Sequence, residues 1–206
     1  MPFDLPDGLA PEVYPLAWLV GHWRGEGVVG YPGIEEAAFV QDVRFDHDGG
    51  PYLRYSSTMR LVVVPDDPAA LIDEIDRDAT AAAGGPDGEP GGAVLPAEAG
   101  PVWSTESGFW RVSPERPAEL EEGQFPIELL LADPAGHLAL YLGIVGSGRI
   151  ELASDLIAST STAVDVAAGT RLYGLVQGDL MWAWDLAAFG HPLQTYASAR
   201  LTRVES

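Results

Sequence analysis

The stretch from Thr170 to Asp185, TRLYGLVQGDLMWAWD, is the clearest guide to the fold of this chain. Two runs rich in Leu, Val, Tyr and Trp flank the turn Val176–Leu180, which reads VQGDL. Such runs favour β-strands, and the glycine in the turn supplies the positive φ that a tight hairpin needs. The stretch therefore predicts two neighbouring antiparallel strands joined by a hairpin.

The same pattern recurs along most of the 206-residue chain. The turn Val145–Arg149, VGSGR, joins another two strand-like runs. Many short strands separated by hairpin turns are typical of antiparallel barrels and sandwiches. The two runs around the VQGDL turn predict strands at Thr170–Val176 and Asp179–Asp185. The other predicted strands are Phe39–Phe45, Tyr52–Val64, Gly108–Val112, Ile127–Leu131, His137–Val145, Arg149–Ser154 and Gln194–Val204.

Helical signal is scarce. Pro15–Val20 predicts a short helix or turn, and Asp66–Ala83 is the one sustained helix candidate, with Pro68 suited to its first turn. The following Gly84–Gly100 contains GGPDGEPGG, a composition that builds no core and indicates a loop. We interpret residues 65–100 as an insertion between two strands of a single domain that spans residues 1–206.

Composition and charge narrow the function classes. The formal net charge is −20, from 31 acidic and 11 basic residues, and such a surface repels nucleic-acid phosphates and anionic lipids. The absence of cysteine excludes disulfides and thiolate metal sites. The N-terminus lacks the basic start and apolar core of a secretory signal. We expect a cytoplasmic protein with neither a nucleic-acid nor a membrane partner; the sequence leaves its oligomeric state open.

Catalytic motifs are missing as well. The chain contains no G-x-S-x-G elbow, P-loop, Rossmann fingerprint or His-x-x-x-His metal spacing. We therefore assign no catalytic residue and no metal ligand from the sequence.

The segment Gly21-His22-Trp23 is similar to the G-x-W of the calycin barrels, the lipocalins and fatty-acid-binding proteins. That similarity implies a Trp23 packed across the closed end of a barrel, under a cation from the last strand. Arg200 and Arg203 are the candidates. Regular alternation puts Arg200 on the same strand face as Tyr196. The family resemblance described in the next paragraph implies that Tyr196 points into the barrel. We therefore predict that Arg200 covers Trp23.

Three further segments resemble the nitrobindin family. Phe39–Tyr55 is similar to that family's strand, His-x-Gly turn and second strand. Glu106–Arg111, ESGFWR, resembles its E-x-G-[FY]-[WIL]-R strand, and Asp185–Gln194 resembles its closing turn. The resemblance covers roughly residues 15–62 and 101–204. It implies an all-β, antiparallel up-and-down β-barrel of about ten strands, calycin-like, with one short helical or disordered insertion.

The resemblance also concerns a cofactor. Nitrobindins hold a b-type haem in an apolar pocket. They act on NO and on peroxynitrite, and they isomerise the peroxynitrite to nitrate. Their iron ligand is a His in a P-L-x-x-H-L context, where this chain reads Pro192–Ala197 with Tyr196 at the His position. A second family His is matched by Ser104. We therefore expect no haem, with two alternatives kept open: phenolate ligation by Tyr196, since Tyr ligates haem in catalase, or a rescuing ligand from His191.

Three hypotheses about function follow. The first is a binding protein whose internal pocket takes a small apolar ligand, with Tyr196 lining that pocket. The second is a haem protein with altered axial ligation acting on NO or peroxynitrite, and the third is a filled barrel with a structural or interaction role. Trp182 and Trp184 lie two residues apart on one strand face, so we predict that both line the pocket or the core.

Overall fold

The structure, a computed structural model, describes residues 5–62 and 99–204. Within these residues ten antiparallel strands form a closed barrel. Each strand pairs with the next in the chain, and β1 pairs with β10 to close the ring. This confirms the predicted fold class. The strands are β1 (Gly21–Tyr31), β2 (Ile34–Asp46), β3 (Leu53–Val62), β4 (Ala99–Val112), β5 (Phe125–Ala132), β6 (His137–Gly146), β7 (Arg149–Ser159), β8 (Val166–Val176), β9 (Asp179–Ala188) and β10 (Gln194–Arg203).

The two hairpin turns that carried the fold prediction have the expected geometry. Ser147 and Gly148, between β6 and β7, have φ values of 51° and 71°. Gln177 and Gly178, between β8 and β9, have φ values of 55° and 95°. Positive φ at both central residues is the signature of the type I′ turn, whose twist matches that of the strands it joins.

A 3-10 helix, Pro11–Leu19, precedes β1 and is longer than the predicted helix or turn at Pro15–Val20. Its side chains Val13, Leu16 and Leu19 are buried in the same core as the barrel interior. The helix therefore packs on the barrel at the end where β1 begins. None of the described helices is long and apolar enough to cross a bilayer.

The predicted insertion joins two paired strands, since β3 ends at Val62 and β4 begins at Ala99 opposite it. The helix candidate Asp66–Ala83 and most of the loop Gly84–Gly100 lie outside the described residues. Gly100 itself belongs to β4. β4 therefore begins nine residues before the strand predicted at Gly108–Val112.

Trp23 is completely buried at the helix-covered end of the barrel. Its indole Nε1 donates a hydrogen bond to the Leu19 carbonyl oxygen at 2.7 Å. The Arg203 guanidinium lies over the ring, with Cζ 4.1 Å from the ring centroid. Arg203 also donates to the carbonyl oxygens of Trp18 and Val20. One cation thus connects the last strand, the tryptophan and the helix.

The prediction that Arg200 covers Trp23 is wrong. Arg200 is exposed and binds Asp179, with Nε 2.6 Å from Oδ2. The cause is a β-bulge, because the pairing of β10 with β9 skips Tyr196 between Thr195 and Ala197. Beyond the bulge the alternation is inverted, so the buried residues are Ala197, Ala199 and Leu201. Arg203 continues that odd-numbered series and reaches Trp23.

The glycines around Trp23 are required by this close packing. A Cβ at Gly21, whose φ is +135°, would lie 2.4 Å from Nη1 of Arg203. A Cβ at Gly25 would lie 2.1 Å from the Arg200 carbonyl oxygen of the paired strand. Any side chain at Gly25 would therefore force β1 away from β10.

Candidate functional site

A cavity of about 540 Å³ lies at the barrel end opposite Trp23. At this end β1, β3, β5, β7 and β9 finish and the even-numbered strands begin. The cavity wall comes from β4, from the β5–β6 turn, from the β7–β8 loop and from the neighbouring ends of β9 and β10. Most lining side chains are apolar or aromatic, among them Ile34, Val102, Trp103, Leu131, Ala139, Tyr141, Val166, Trp184 and Leu186.

A buried ion pair lies at the inner side of this cavity. Arg171 on β8 and Glu106 on β4 are 5% and 8% exposed. The guanidinium binds the carboxylate through two nitrogens, with Nη1 2.9 Å from Oε2 and Nη2 bound to Oε1. Tyr55 donates a longer bond to Oε2, at 3.4 Å. Bidentate geometry of this kind satisfies the carboxylate away from water.

The environment keeps the Arg171 guanidinium charged. Burial is the largest single influence and lowers the pKa of the Arg171 guanidinium, but the Glu106 carboxylate together with Tyr141 and Tyr173 outweighs it and holds that pKa well above its ordinary value. The guanidinium also lies over the ring of Trp184, with Cζ 4.0 Å from the centroid. The pair is therefore a fixed, internally neutralised element of the cavity wall.

Tyr196 lines the cavity from the bulge in β10. Its hydroxyl oxygen accepts a hydrogen bond from Nε1 of Trp103 at 2.8 Å. Its ring meets Trp184 edge-on at 5.0 Å and Tyr31 at 6.1 Å between centroids. Burial raises the pKa of Tyr196; the Trp103 hydrogen bond partly opposes that shift, and the nearby Glu106 charge adds to it. The side chain is therefore a neutral, well-positioned phenol.

The two tryptophans of β9 occupy different environments. Trp184 lines the cavity. Trp182, 8% exposed, lies deeper, where its Nε1 donates to Oε1 of Gln41 at 2.8 Å and its ring stacks on Phe39. Trp184 is therefore a cavity residue and Trp182 a core residue, although they point to the same face.

The four histidines are dispersed, and His47 lies between β2 and β3. His137 lies at the cavity rim, with Nδ1 3.0 Å from Oδ2 of Asp133 and Nε2 2.8 Å from the Val164 carbonyl oxygen. His22 contacts Asp42 at the opposite end of the barrel, at 2.6 Å. His191 is exposed and lies edge-on to Tyr31. Within residues 5–62 and 99–204, no cluster of three or more His, Asp or Glu side chains could hold a metal ion.

Sequence reasoning did not assign roles to Glu106, Arg171 or Trp103. Glu106 begins the segment Glu106–Arg111 that resembles the nitrobindin strand, and Arg171 lies in the stretch Thr170–Asp185 that predicts a hairpin. A usable signal was present for Arg171, which shares its strand face with Tyr173 in a run that predicts a barrel strand. A charge in such an inward series requires a partner. Its partner, 65 residues away, becomes identifiable only once the barrel is closed.

Comparison with known proteins places this geometry in a family. Residues 12–203 match the family described as "THAP4-like, heme-binding beta-barrel domain". A "Ferric nitrobindin-like protein" of Beutenbergia cavernae is 45% identical over 229 residues, covering 99% of this chain and 100% of that protein. A "Peroxynitrite isomerase" of Clavibacter michiganensis subsp. michiganensis is 40% identical, covering 98% and 99%.

A solved structure agrees with these matches. The crystal structure of Rv2717c from M. tuberculosis superposes with a TM-score of 0.68 at 28% identity, covering 96% of this chain and 99% of that one. The resemblance to nitrobindins seen in the sequence is confirmed. The chain belongs to the THAP4-like, nitrobindin-like family of heme-binding β-barrel domains.

Proposed function

We propose that this protein binds a small, largely apolar molecule in the cavity and that Tyr196 does not ligate haem iron. The observation that carries the proposal is the cavity itself. Its volume of about 540 Å³ falls within the range of roughly 300–1,000 Å³ found for small-molecule sites. Its wall is mostly apolar, with few polar groups, as in such sites. This volume favours a ligand over a barrel filled by its own side chains.

The side chains around Tyr196 do not suit an iron ligand. A tyrosine that ligates ferric haem does so as a phenolate, which needs a nearby cation when it is buried. Burial and the Glu106 charge both raise the pKa of Tyr196. Arg171 supplies the one guanidinium among the described residues lining the cavity, and Glu106 already binds it. The Trp103 hydrogen bond to the Tyr196 oxygen lowers that pKa, but burial outweighs it and the net shift is upward.

The histidines offer no better ligand. Both ring nitrogens of His137 lie within hydrogen-bond distance of oxygen atoms, those of Asp133 and Val164. His191 is exposed and is not among the described residues that line the cavity.

A haem protein with a tyrosine ligand is the second candidate. It is favoured by the relatives named peroxynitrite isomerase, which are 35–40% identical over nearly the whole chain. Tyr196→His discriminates between the candidates. If the chain has lost only the iron-ligating histidine, this substitution should create one-to-one haem binding with a sharp Soret band, where the parent shows none. Equal haem binding by parent and variant would favour the second candidate.

The binding proposal is tested with N-phenyl-1-naphthylamine, whose fluorescence rises in an apolar environment. We expect saturable one-to-one binding to the parent protein. Ala139 lines the cavity, so Ala139→Phe should weaken binding at least ten-fold by filling it. Ala153, exposed on β7, provides the matched control, and Ala153→Phe should bind like the parent. No binding by the parent, or equal binding by the Ala139 variant, contradicts the proposal.

A further inference from the structure

We propose that Tyr196 donates its phenolic hydrogen to the bound molecule, and that the cavity selects an uncharged, mostly apolar ligand carrying one acceptor oxygen, as in a ketone or an ester. The inference rests on the proposed function and specifies the ligand class for the same cavity.

The hydrogen-bonding of the Tyr196 hydroxyl leaves its hydrogen available. An indole N–H only donates, so the 2.8 Å contact with Trp103 uses the phenolic oxygen as acceptor. Within the described part of the chain, no group accepts a hydrogen bond from this hydroxyl. A hydroxyl that is mostly removed from water and keeps an unused hydrogen gains by meeting an acceptor. The cavity is the space that Tyr196 lines.

The phenol is held in place before any ligand arrives. Trp103 fixes its oxygen, and the rings of Trp184 and Tyr31 both pack against its ring in edge-on geometry. The bulge in β10 permits both Tyr196 and Ala197 to point inward. A donor that is positioned in this way costs little conformational entropy when a ligand binds.

The charges near the cavity select against an acid. Arg171 is the cation that a carboxylate ligand would use, but its guanidinium is bound through two nitrogens to Glu106. A carboxylate placed beside Tyr196 would therefore find the Arg171 guanidinium already bound, and the Glu106 carboxylate, whose charge is felt at Tyr196, would repel it. The net charge of −20 opposes a second anion further. An uncharged acceptor oxygen meets none of these costs.

The test uses three probes of similar shape, namely 2-acetylnaphthalene, 2-ethylnaphthalene and 2-naphthoate, with binding measured by equilibrium dialysis. In Tyr196→Phe the ketone should bind roughly two- to ten-fold more weakly than in the parent, the range expected for one hydrogen bond. The hydrocarbon should change by less than two-fold. The naphthoate should bind more weakly than the ketone to both proteins. Tyr14→Phe, an exposed site on the 3-10 helix, is the matched control and should change nothing.

An infrared measurement keeps the test independent of small stability changes. The carbonyl stretch of ¹³C-labelled 2-acetylnaphthalene should lie at lower wavenumber when bound to the parent than when bound to Tyr196→Phe. An unchanged stretch, or equal weakening of ketone and hydrocarbon, overturns the donor role. Tighter binding of the naphthoate than of the ketone overturns the selection for uncharged ligands. Failure of all three probes to bind the parent contradicts the proposed function itself.

Discussion

Replacing Trp23 by alanine should destabilise the protein by about 3–5 kcal/mol, the range for substitutions that truncate a buried large aromatic side chain and leave a cavity. We expect the upper part of that range for two reasons. The ring is fully buried, and its loss leaves the Leu19 carbonyl oxygen without its 2.7 Å donor. Arg203 also loses the ring beneath it. Urea unfolding followed by far-UV circular dichroism measures the change directly. A midpoint equal to that of the parent would refute the account of barrel closure.

A pair of arginine variants makes the same test specific. Arg203→Ala removes a cation–π contact and two hydrogen bonds to carbonyl oxygens, so we expect a loss of about 1–3 kcal/mol. Arg200→Ala removes only an ion pair whose arginine is exposed, and such pairs contribute about 0–1 kcal/mol. A larger loss of stability from Arg200→Ala than from Arg203→Ala would support the arrangement predicted from regular strand alternation, in which Arg200 covers Trp23.

Three other outcomes follow from the structure and the sequence. Glu106→Gln leaves the buried Arg171 without its carboxylate, so unfolding by urea should show a loss of about 3–5 kcal/mol. Burial raises the pKa of Tyr55 and Tyr173 above the usual 10.0, so the folded state keeps protons that the unfolded chain loses. Stability should therefore be intact below about pH 10 and fall above it, as urea midpoints at pH 9 and pH 11 would show. Limited proteolysis should cut first within residues 84–98 because of their composition, and cutting elsewhere first would contradict that interpretation.

The local parts of the fold were accessible from the sequence because their causes are local. Gly178 and Gly148 lie in two-residue turns whose type depends on the residues themselves. The G-x-W segment indicated a Trp23 packed across the closed end under an arginine, and Trp23 is buried there beneath Arg203. Strand identity likewise depends on residue types within short runs.

The details of the site depend on pairings that no short segment contains. The bulge at Tyr196 arises from the register of β10 against β9, and it inverts the face of every later residue in β10. Alternation counted from Tyr196 therefore selected Arg200, although Arg203 covers Trp23. Trp103 meets Tyr196 across 93 residues of sequence, and only barrel closure brings the two together.

Titration of the unmodified protein with haemin, followed in the Soret region, shows whether Tyr196 can ligate haem iron. We expect weak, nonsaturating spectral changes, because burial keeps Tyr196 a neutral phenol, which offers iron no anionic ligand. A sharp Soret band saturating at one haem per chain, and abolished by Tyr196→Phe, would contradict this expectation and assign the iron to the Tyr196 phenolate.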